Sequence, residues 1–253
     1  MEIGSSDSSL LISRLHERSR EDKRPSINYL QSSRQGRQIL INFIMGIADT
    51  YDLTTHTSSC AINYFDRYFD AMYNQTKHSL FQCESIQTNC NLSYMIASTC
   101  LFISAKFNDR QDKIITVSDL EQINNWAATK VELMELETEI LTVLQWKLLI
   151  RRPHEFVDDI ILLCERKKEK IKQYTLLFID MSKYNDEYIS YSHVTIAIIS
   201  FISTCILLEY EYKCLQIYID TLSYICNQTE EQLYICAKKL VTMYVSKLIV
   251  ESA

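Results

Sequence analysis

Glycine and proline are almost missing from this sequence: of its 253 residues, three are glycine and two are proline. Tight hairpins and phosphate-binding loops depend on glycine for positive φ angles, so Gly4, Gly36 and Gly46 can support few of them. The Walker A loop and the dinucleotide fingerprint each need closely spaced glycines, whereas the nearest pair here lies ten residues apart. Both nucleotide-binding motifs are therefore excluded.

A basic surface and a long apolar segment are also missing. The formal net charge is -6 and the isoelectric point about 5.5, which disfavours a nucleic-acid partner because phosphate binding depends on clustered Lys and Arg. The longest apolar run, Val194 to Leu208, contains Ser200 and Ser203 and is shorter than the roughly 20 residues that span a bilayer. We therefore expect a protein or small-ligand partner, no nucleic acid and no membrane.

The nine cysteines form no C-x-x-C pair, and most of them lie in apolar runs. An odd number of scattered cysteines predicts reduced, buried thiols rather than a disulfide framework. The first residues show neither the basic nor the apolar region of a secretory signal. These features predict an intracellular, reducing location, nuclear or cytoplasmic.

Apolar residues recur at helical spacing along most of the chain, which predicts an all-α fold. Five helices are expected before Pro153 and five after it; the second set is rich in Ile, Val and Tyr, as strands also are, but lacks hairpin glycines. A shift of 99 residues aligns the middle helices of the two sets and suggests an internal duplication. We predict an N-terminal tail with a short helix (1–35) and two tandem five-helix domains (36–150 and 151–250).

Two charged residues interrupt the apolar helix faces, where an unpaired charge is costly. Glu137 shares the face of Leu133 and Leu141, and Lys106 follows the apolar stripe near the end of its helix. Spacing alone also permits a carboxylate that reaches water and a lysine that complements a helix C-terminus. The 99-residue shift places cysteines opposite both charges, so the charges are not needed to build the fold. This contrast favours a function specific to the first domain.

Arg37 and Asp66 predict a structural contact rather than a binding site. Arg37 opens the first helix of the first domain, and Asp66 lies within reach of the apolar stripe of the second. A partly buried bridge between them would satisfy both charges by bidentate hydrogen bonding. Segment 119–139 carries six acidic residues against Lys130 alone, which is typical either of a surface that meets a basic partner or of ordinary solvated helices.

No catalytic constellation emerges from the sequence. The stretch His154 to Asp158 resembles a zinc-binding helix, but Asp158 stands where the second histidine is needed and no third ligand follows. The remaining histidines are scattered, and no residue pair nominates a nucleophile. We predict no metal, no cofactor and no enzymatic activity.

Four short motifs, in order and at the right spacing, resemble the cyclin box. They are RQILINF at 37–43, AINYFDRY at 61–68, SAKF at 104–107, and Leu136-Glu137 followed by LQWKL at 144–148. The resemblance covers residues 37–150 and extends more faintly through 191–208 and 227–244. It implies two tandem cyclin folds that bind a cyclin-dependent protein serine/threonine kinase as a heterodimer and activate it allosterically, in cell-cycle or transcription control.

The resemblance also assigns roles to individual residues. It implies that Lys106 and Glu137 engage the kinase near its mobile regulatory helix, that Phe107, Leu141 and Trp146 add apolar contacts, and that the bridge described above is internal. In relatives that recruit kinase substrates, a hydrophobic patch lies on the first helix.

That patch would correspond here to Ile39, Leu40 and Phe43, but Gly36 and Gly46 stand where the family pattern has side chains. Two other functions remain open at this stage. One is a cyclin-fold transcription adaptor that bridges proteins and DNA through the basic stretch 166–172, and the other is a helical enzyme with an unrecognised site.

Overall fold

The structure is a computed structural model. It describes residues 13, 15, 17, 34–75, 90–110, 115–125, 128–162, 164, 167–209, 219–220 and 222–251. Every regular element among them is helical, with no strand in these ranges, so the all-α prediction is confirmed there. This includes the second half of the chain, whose β-branched and aromatic residues are also typical of strands. The described residues form two compact units that divide between Ile150 and Arg151.

The first unit is built around its third helix. Its described helices are α1 (Arg34–Thr50), α2 (Thr55–Gln75), α3 (Cys90–Asn108), α4 (Val117–Ile123) and α5 (Lys130–Val143). The other four helices all pack against α3. Every residue from Ile96 to Ala105 is buried, because α3 is apolar or small on all sides. Solvent reaches α3 only near its ends, which is where Lys106 and Phe107 lie.

The second unit repeats this plan with a different central helix. Its elements are a 3₁₀ turn (Pro153–Phe156), α6 (Val157–Ile161), α7 (Lys168–Ser182), a second 3₁₀ turn (Asp186–Tyr188), α8 (His193–Leu207), helical residues 222–226, and α9 (Glu230–Glu251). Every residue of α8 from His193 to Cys205 is buried, and α7 and α9 pack against this helix. Ser192 caps α8 by accepting a hydrogen bond from the main-chain N–H of Thr195 at 3.1 Å.

The two units are compatible with a tandem pair of five-helix folds. A shift of 99 residues carries the last residue of α3, Asn108, onto the last residue of α8, Leu207, and carries Lys130 to the position before α9. The central helix is the most buried helix in both units. Similar helix order and matching helix ends are what a duplication would leave behind.

Leu15 belongs to the core of the second unit, although it lies far from that unit along the chain. Its side chain is only 1% exposed and forms part of the apolar cluster that contains Phe178 and Ile199. Ser13, Leu15 and Glu17 are helical. The segment that composition suggests is a tail therefore contributes a core side chain.

Candidate functional site

Lys106 and Glu137 form an ion pair at the surface of the first unit. The ammonium group of Lys106, near the end of α3, donates to Oε1 of Glu137 on α5 at 2.5 Å. The same Nζ lies 4.6 Å from the centroid of the Phe102 ring, so the cation also faces an aromatic surface. The lysine side chain is 44% exposed and the glutamate side chain 14%. An exposed pair of this kind contributes about 0–1 kcal/mol to stability.

The start of α5 is fixed by a capping box. The hydroxyl oxygen of Thr129 accepts from the main-chain N–H of Glu132, and the Glu132 carboxylate accepts from the main-chain N–H of Thr129 at 2.7 Å. The hydrogen bonds that this carboxylate accepts, first from the main-chain N–H and then from the hydroxyl of Thr129, lower the pKa of Glu132. After the cap, the buried side chains of Leu133 and Leu136 pack the helix against the core. The cap and this stripe together set the position of Glu137.

The three predicted apolar contacts differ in their exposure. Phe107 is 51% exposed and Trp146 is 67% exposed, so both present large apolar surfaces to solvent. Leu141 is only 8% exposed and is part of the core stripe of α5. The structure thus leaves two of the three side chains on the surface together with the charged pair.

The turn that follows α5 holds Trp146 in an unusual backbone conformation. Gln145 and Trp146 both have positive φ angles, 54° and 57°. The guanidinium of Arg67 donates to the carbonyls of Lys147 at 2.8 Å and Leu144 at 3.3 Å. A second residue of α2, the fully buried Tyr64, donates its hydroxyl to the carbonyl of Leu148 at 2.7 Å.

Arg37 and Asp66 meet in the interior between α1 and α2. Nε of Arg37 donates to one carboxylate oxygen at 2.8 Å, and the terminal nitrogen donates to the other at 2.9 Å. The side chains are 3% and 8% exposed. This bidentate geometry is the strong form of the Arg–carboxylate contact. Burial, and to a lesser degree the negative charge of Asp66, raise the pKa of the Cys100 thiol.

The predicted docking residues on α1 do not share one surface. Ile39 is 54% exposed, but Leu40 is buried. Phe43 is partly buried and packs edge-to-face on Tyr94, with ring centroids 4.7 Å apart. A Cβ atom at Gly46 would meet nothing within 4 Å, so packing does not require glycine there.

The acidic surface predicted for segment 119–139 is partly committed to internal contacts. Glu132 caps the helix and Glu137 pairs with Lys106. Glu139 accepts a hydrogen bond from the hydroxyl of Tyr68 at 2.7 Å. Glu135 is exposed. The surface along α5 is therefore acidic, with part of its charge already paired.

The second unit has no counterpart of the charged pair at the matching positions. The 99-residue shift places Cys205 opposite Lys106 and Cys236 opposite Glu137, and both cysteines are buried. The second unit thus carries buried thiols at the positions that match the surface ion pair of the first unit. This difference supports a role for the pair beyond folding.

The histidine of the zinc-like stretch contacts a carboxylate instead. His154 lies in the first 3₁₀ turn, with Nε2 3.3 Å from a carboxylate oxygen of Asp180. In the part of the chain that the structure describes, no group of three or more His, Cys, Asp or Glu side chains is arranged to hold a metal ion. The same residues include no helix with the length and apolar character needed to cross a membrane.

The basic stretch 166–172 lies at the start of α7, and residue 166 is outside the described residues. Lys172 pairs with Asp158 at 2.6 Å, while Lys167, Lys168 and Lys170 are exposed. The hydrogen bond to Asp158, and then the negative charge of that carboxylate, raise the pKa of Lys172.

Two residues of the site escape sequence reasoning. Arg67 and Tyr64 act on main-chain carbonyls, so no complementary side chain in the sequence reveals them. Both lie in the motif AINYFDRY, which gives neither of them a role, and their spacing of three residues on α2 puts them on neighbouring positions of one helix face.

A protein-family model, the N-terminal domain of cyclins, matches residues 11–149, which is more than half of the chain. The chain belongs to the cyclin family. Cyclins are regulatory subunits. The charged pair, the buried bridge and the turn that carries Trp146 all lie within the matched residues of this cyclin.

Curated relatives have similar sequences over part of their length. The cyclin is 27% identical over 189 residues to Cyclin-J-like protein of Mus musculus, covering 65% of this chain and 45% of that protein. It is 26% identical over 132 residues to Cyclin-A1-2 of Arabidopsis thaliana, covering 50% and 26%. This cyclin thus spans less than half the length of either relative.

Solved structures share the fold at low sequence identity. A viral cyclin from herpesvirus saimiri has a TM-score of 0.60 and 15% identity, covering 92% of this chain and 96% of that one. A chain of the yeast TFIIK (Kin28/Ccl1/Tfb3) complex has a TM-score of 0.53 and 17% identity, covering 81% and 83%. At such identities the likeness is one of fold.

Proposed function

We propose that this cyclin is a non-catalytic regulatory subunit that binds a cyclin-dependent protein kinase and activates it allosterically, in cell-cycle or transcription control. The observation that carries the proposal is the exposed pair of Lys106 and Glu137, accompanied by the exposed rings of Phe107 and Trp146. Large aromatic anchors beside a few polar groups are typical of residues that dominate protein interfaces.

The exposed pair suits recognition better than stabilisation. Because each side chain keeps hydrogen-bonding capacity beyond its partner, an ammonium and a carboxylate together can serve both acceptors and donors on a kinase main chain. The buried Leu141 would contribute indirectly, because it packs α5 against the core and exposes little of its side chain to a partner.

Activation then follows from population shift. A kinase that samples active and inactive positions of its regulatory helix is driven toward the active one by a partner that binds this conformer more tightly. A change from 1:99 to 99:1 needs a preference of about 10⁴-fold. The subunit supplies binding free energy and no chemical group.

The test uses purified cyclin-dependent kinases, one at a time, and two matched double variants. Lys106→Ala with Glu137→Ala removes the proposed contact, and Lys239→Ala with Glu187→Ala removes another exposed pair, 2.7 Å long, from the second unit. Affinity is measured by titration calorimetry, and activity by phosphorylation of a serine/threonine peptide.

We expect at least one kinase to be bound and activated by the natural chain. The first variant should bind about thirtyfold more weakly or worse, whereas the control variant should match the natural chain, with both keeping the helical circular dichroism spectrum. Undiminished binding by the first variant, or an equal loss in the control, would contradict the proposal.

The remaining proposals rest on fewer features. Substrate docking on α1 would use the exposed Ile39 and the accessible edge of Phe43. The cysteines Cys60, Cys100, Cys164, Cys205, Cys226 and Cys236 are buried thiols, which supports a reducing location, nuclear or cytoplasmic.

A transcription adaptor that contacts DNA is the alternative function. It is favoured only by the exposed lysines at the start of α7 and is opposed by the net charge of -6. Retention on DNA at low salt that weakens steeply as salt rises would support it. Absence of retention at low salt would dismiss it.

A further inference from the structure

The turn after α5 adopts a backbone conformation that its own residues disfavour. In αL geometry the Cβ atom crowds the following carbonyl, so residues other than glycine seldom adopt it twice in succession. Gln145 and Trp146 do so, at φ angles of 54° and 57°. Such conformations persist only where surrounding contacts determine them, and they concentrate at functional sites.

Local hydrogen bonds close the turn on its own helix. The main-chain N–H of Trp146 donates to the carbonyl of Leu141 at 2.9 Å, and that of Gln145 donates to Thr142 at 2.9 Å. This pattern resembles a helix end that normally uses glycine. Glycine is absent from this position, so the conformation depends more strongly on contacts from elsewhere in the unit.

Those contacts come from one face of α2. Arg67 binds the carbonyls of Leu144 and Lys147, which lie on either side of the two αL residues, and Tyr64 binds the next carbonyl, that of Leu148. Three of the five carbonyls from 144 to 148 are thus held by two side chains. Any relaxation of the turn toward ordinary φ angles would break at least one of these hydrogen bonds.

The charged guanidinium of Arg67 donates its hydrogen bonds to uncharged main-chain groups. Burial lowers the pKa of the guanidinium, with a smaller opposing effect of Tyr64, which indicates substantial desolvation. Within the described part of the chain, its partners are main-chain carbonyls and no carboxylate. A partly buried arginine whose guanidinium binds two carbonyls of one turn indicates that the conformation of that turn is important for function.

We propose that Arg67 and Tyr64 are positioning residues that hold the Gln145–Trp146 turn and thereby present the Trp146 ring to the kinase. The kinase part rests on the proposed function; the positioning part concerns the free chain alone. Holding the turn in advance reduces the conformational freedom that Trp146 loses on binding, which strengthens association without adding a contact.

The free chain supplies the first test, through 5-fluorotryptophan and ¹⁹F NMR. The chain has two tryptophans, Trp126 and Trp146, and the variant Trp146→Phe assigns their resonances. Arg67→Met and Tyr64→Phe should each shift or broaden the Trp146 resonance. Arg152→Met, which removes a guanidinium from the second unit, should leave it unchanged. An unmoved Trp146 resonance in both Arg67→Met and Tyr64→Phe overturns the proposal.

Binding to the kinase supplies the second test, as a pair of double-mutant cycles. Arg67→Met and Trp146→Ala should each weaken binding by about tenfold. If Arg67 acts through Trp146, combining them should cost little more than the worse single change, whereas combining Arg67→Met with Lys106→Ala should multiply the two losses. Losses that multiply in the first cycle, or unaltered binding by Arg67→Met, would overturn the proposal.

One further variant separates the geometry of Arg67 from its charge. Arg67→Lys keeps the charge but not the forked donor geometry, so it should recover only part of the binding. It also serves if Arg67→Met does not fold, as judged by circular dichroism. If the natural chain binds no cyclin-dependent kinase, the proposed function fails, and the ¹⁹F spectra alone decide whether Arg67 and Tyr64 position Trp146.

Discussion

Breaking the Arg37–Asp66 pair should destabilise the first unit far more than breaking an exposed ion pair. The proposed change is Arg37→Met, which keeps most of the side-chain volume and removes the guanidinium. The remaining carboxylate would lose two hydrogen bonds, at 2.8 and 2.9 Å, while lying 8% exposed. Removing one partner of such a buried pair costs about 3–5 kcal/mol, because the other charge stays desolvated.

The cost can be read as a shift in melting temperature. For a chain of this size, each kcal/mol lowers the midpoint by roughly 2–4 °C, so Arg37→Met should lower it by roughly 6–20 °C. Lys106→Met is the control, since it breaks a pair whose lysine is 44% exposed. Its expected cost is about 0–1 kcal/mol. Calorimetry and urea titration would measure both variants under the same conditions.

A double replacement tests the physical reason for the loss. In Arg37→Met with Asp66→Leu no charge remains buried, so this variant should be more stable than Arg37→Met alone. Arg37→Lys should fall between Arg37→Met and the natural chain, because an ammonium cannot form the bidentate contact. The reasoning would be refuted if Arg37→Met cost no more than Lys106→Met, or if the double variant lost the sum of the two single changes.

Three further predictions concern other parts of the molecule. Tyr64→Phe removes the donor to a main-chain carbonyl and should lower the free energy of unfolding by about 1–2 kcal/mol in urea titrations. Burial raises the pKa of Asp180, but the contacts with His154 and Lys183 outweigh it and bring this pKa to about 2, below the usual 3.8. The ionised carboxylate of Asp180 therefore stabilises the fold above about pH 4, and this stabilisation is lost as the pH falls toward 2. Asp180→Asn should remove this part of the acid sensitivity. The expected size is about 1 kcal/mol, because the Asp180 side chain is 43% exposed and solvent weakens its contacts. Burial raises the pKa of Cys226 to about 12; with the other three cysteines replaced by serine, the six buried thiols should resist Ellman's reagent at pH 8 until urea is added.

The features that sequence could predict are those with a periodic or compositional signature. Glu137 and Lys106 stand out as charges on apolar faces, and helical periodicity is enough to find them. Their mutual contact follows only from the packing of α3 against α5, which periodicity does not encode. Leu141 shows a related limit, because spacing alone cannot distinguish a residue in the core from one at the exposed edge of an apolar stripe.

Other features lack a sequence signature because the main chain carries them. A positive φ angle is normally inferred from glycine, and at Gln145 and Trp146 glycine is absent. The hydrogen bonds of Arg67 end on carbonyl groups, which every residue has. The scarcity of glycine correctly predicts an all-helical fold, yet it conceals the helix end at Gln145 and Trp146, where two left-handed residues follow each other.

The burial of Leu15 sets an order of events during synthesis. Ribosomes synthesise Leu15 before the first unit, whereas the side chains it packs with, such as Phe178, Ile199 and Leu240, are made after that unit. At about 5–20 residues per second, the interval between Leu15 and Leu240 is roughly 10–45 s. The residues of the first unit are all synthesised within that interval, so the side chain of Leu15 reaches its packed position only after the first unit has been made.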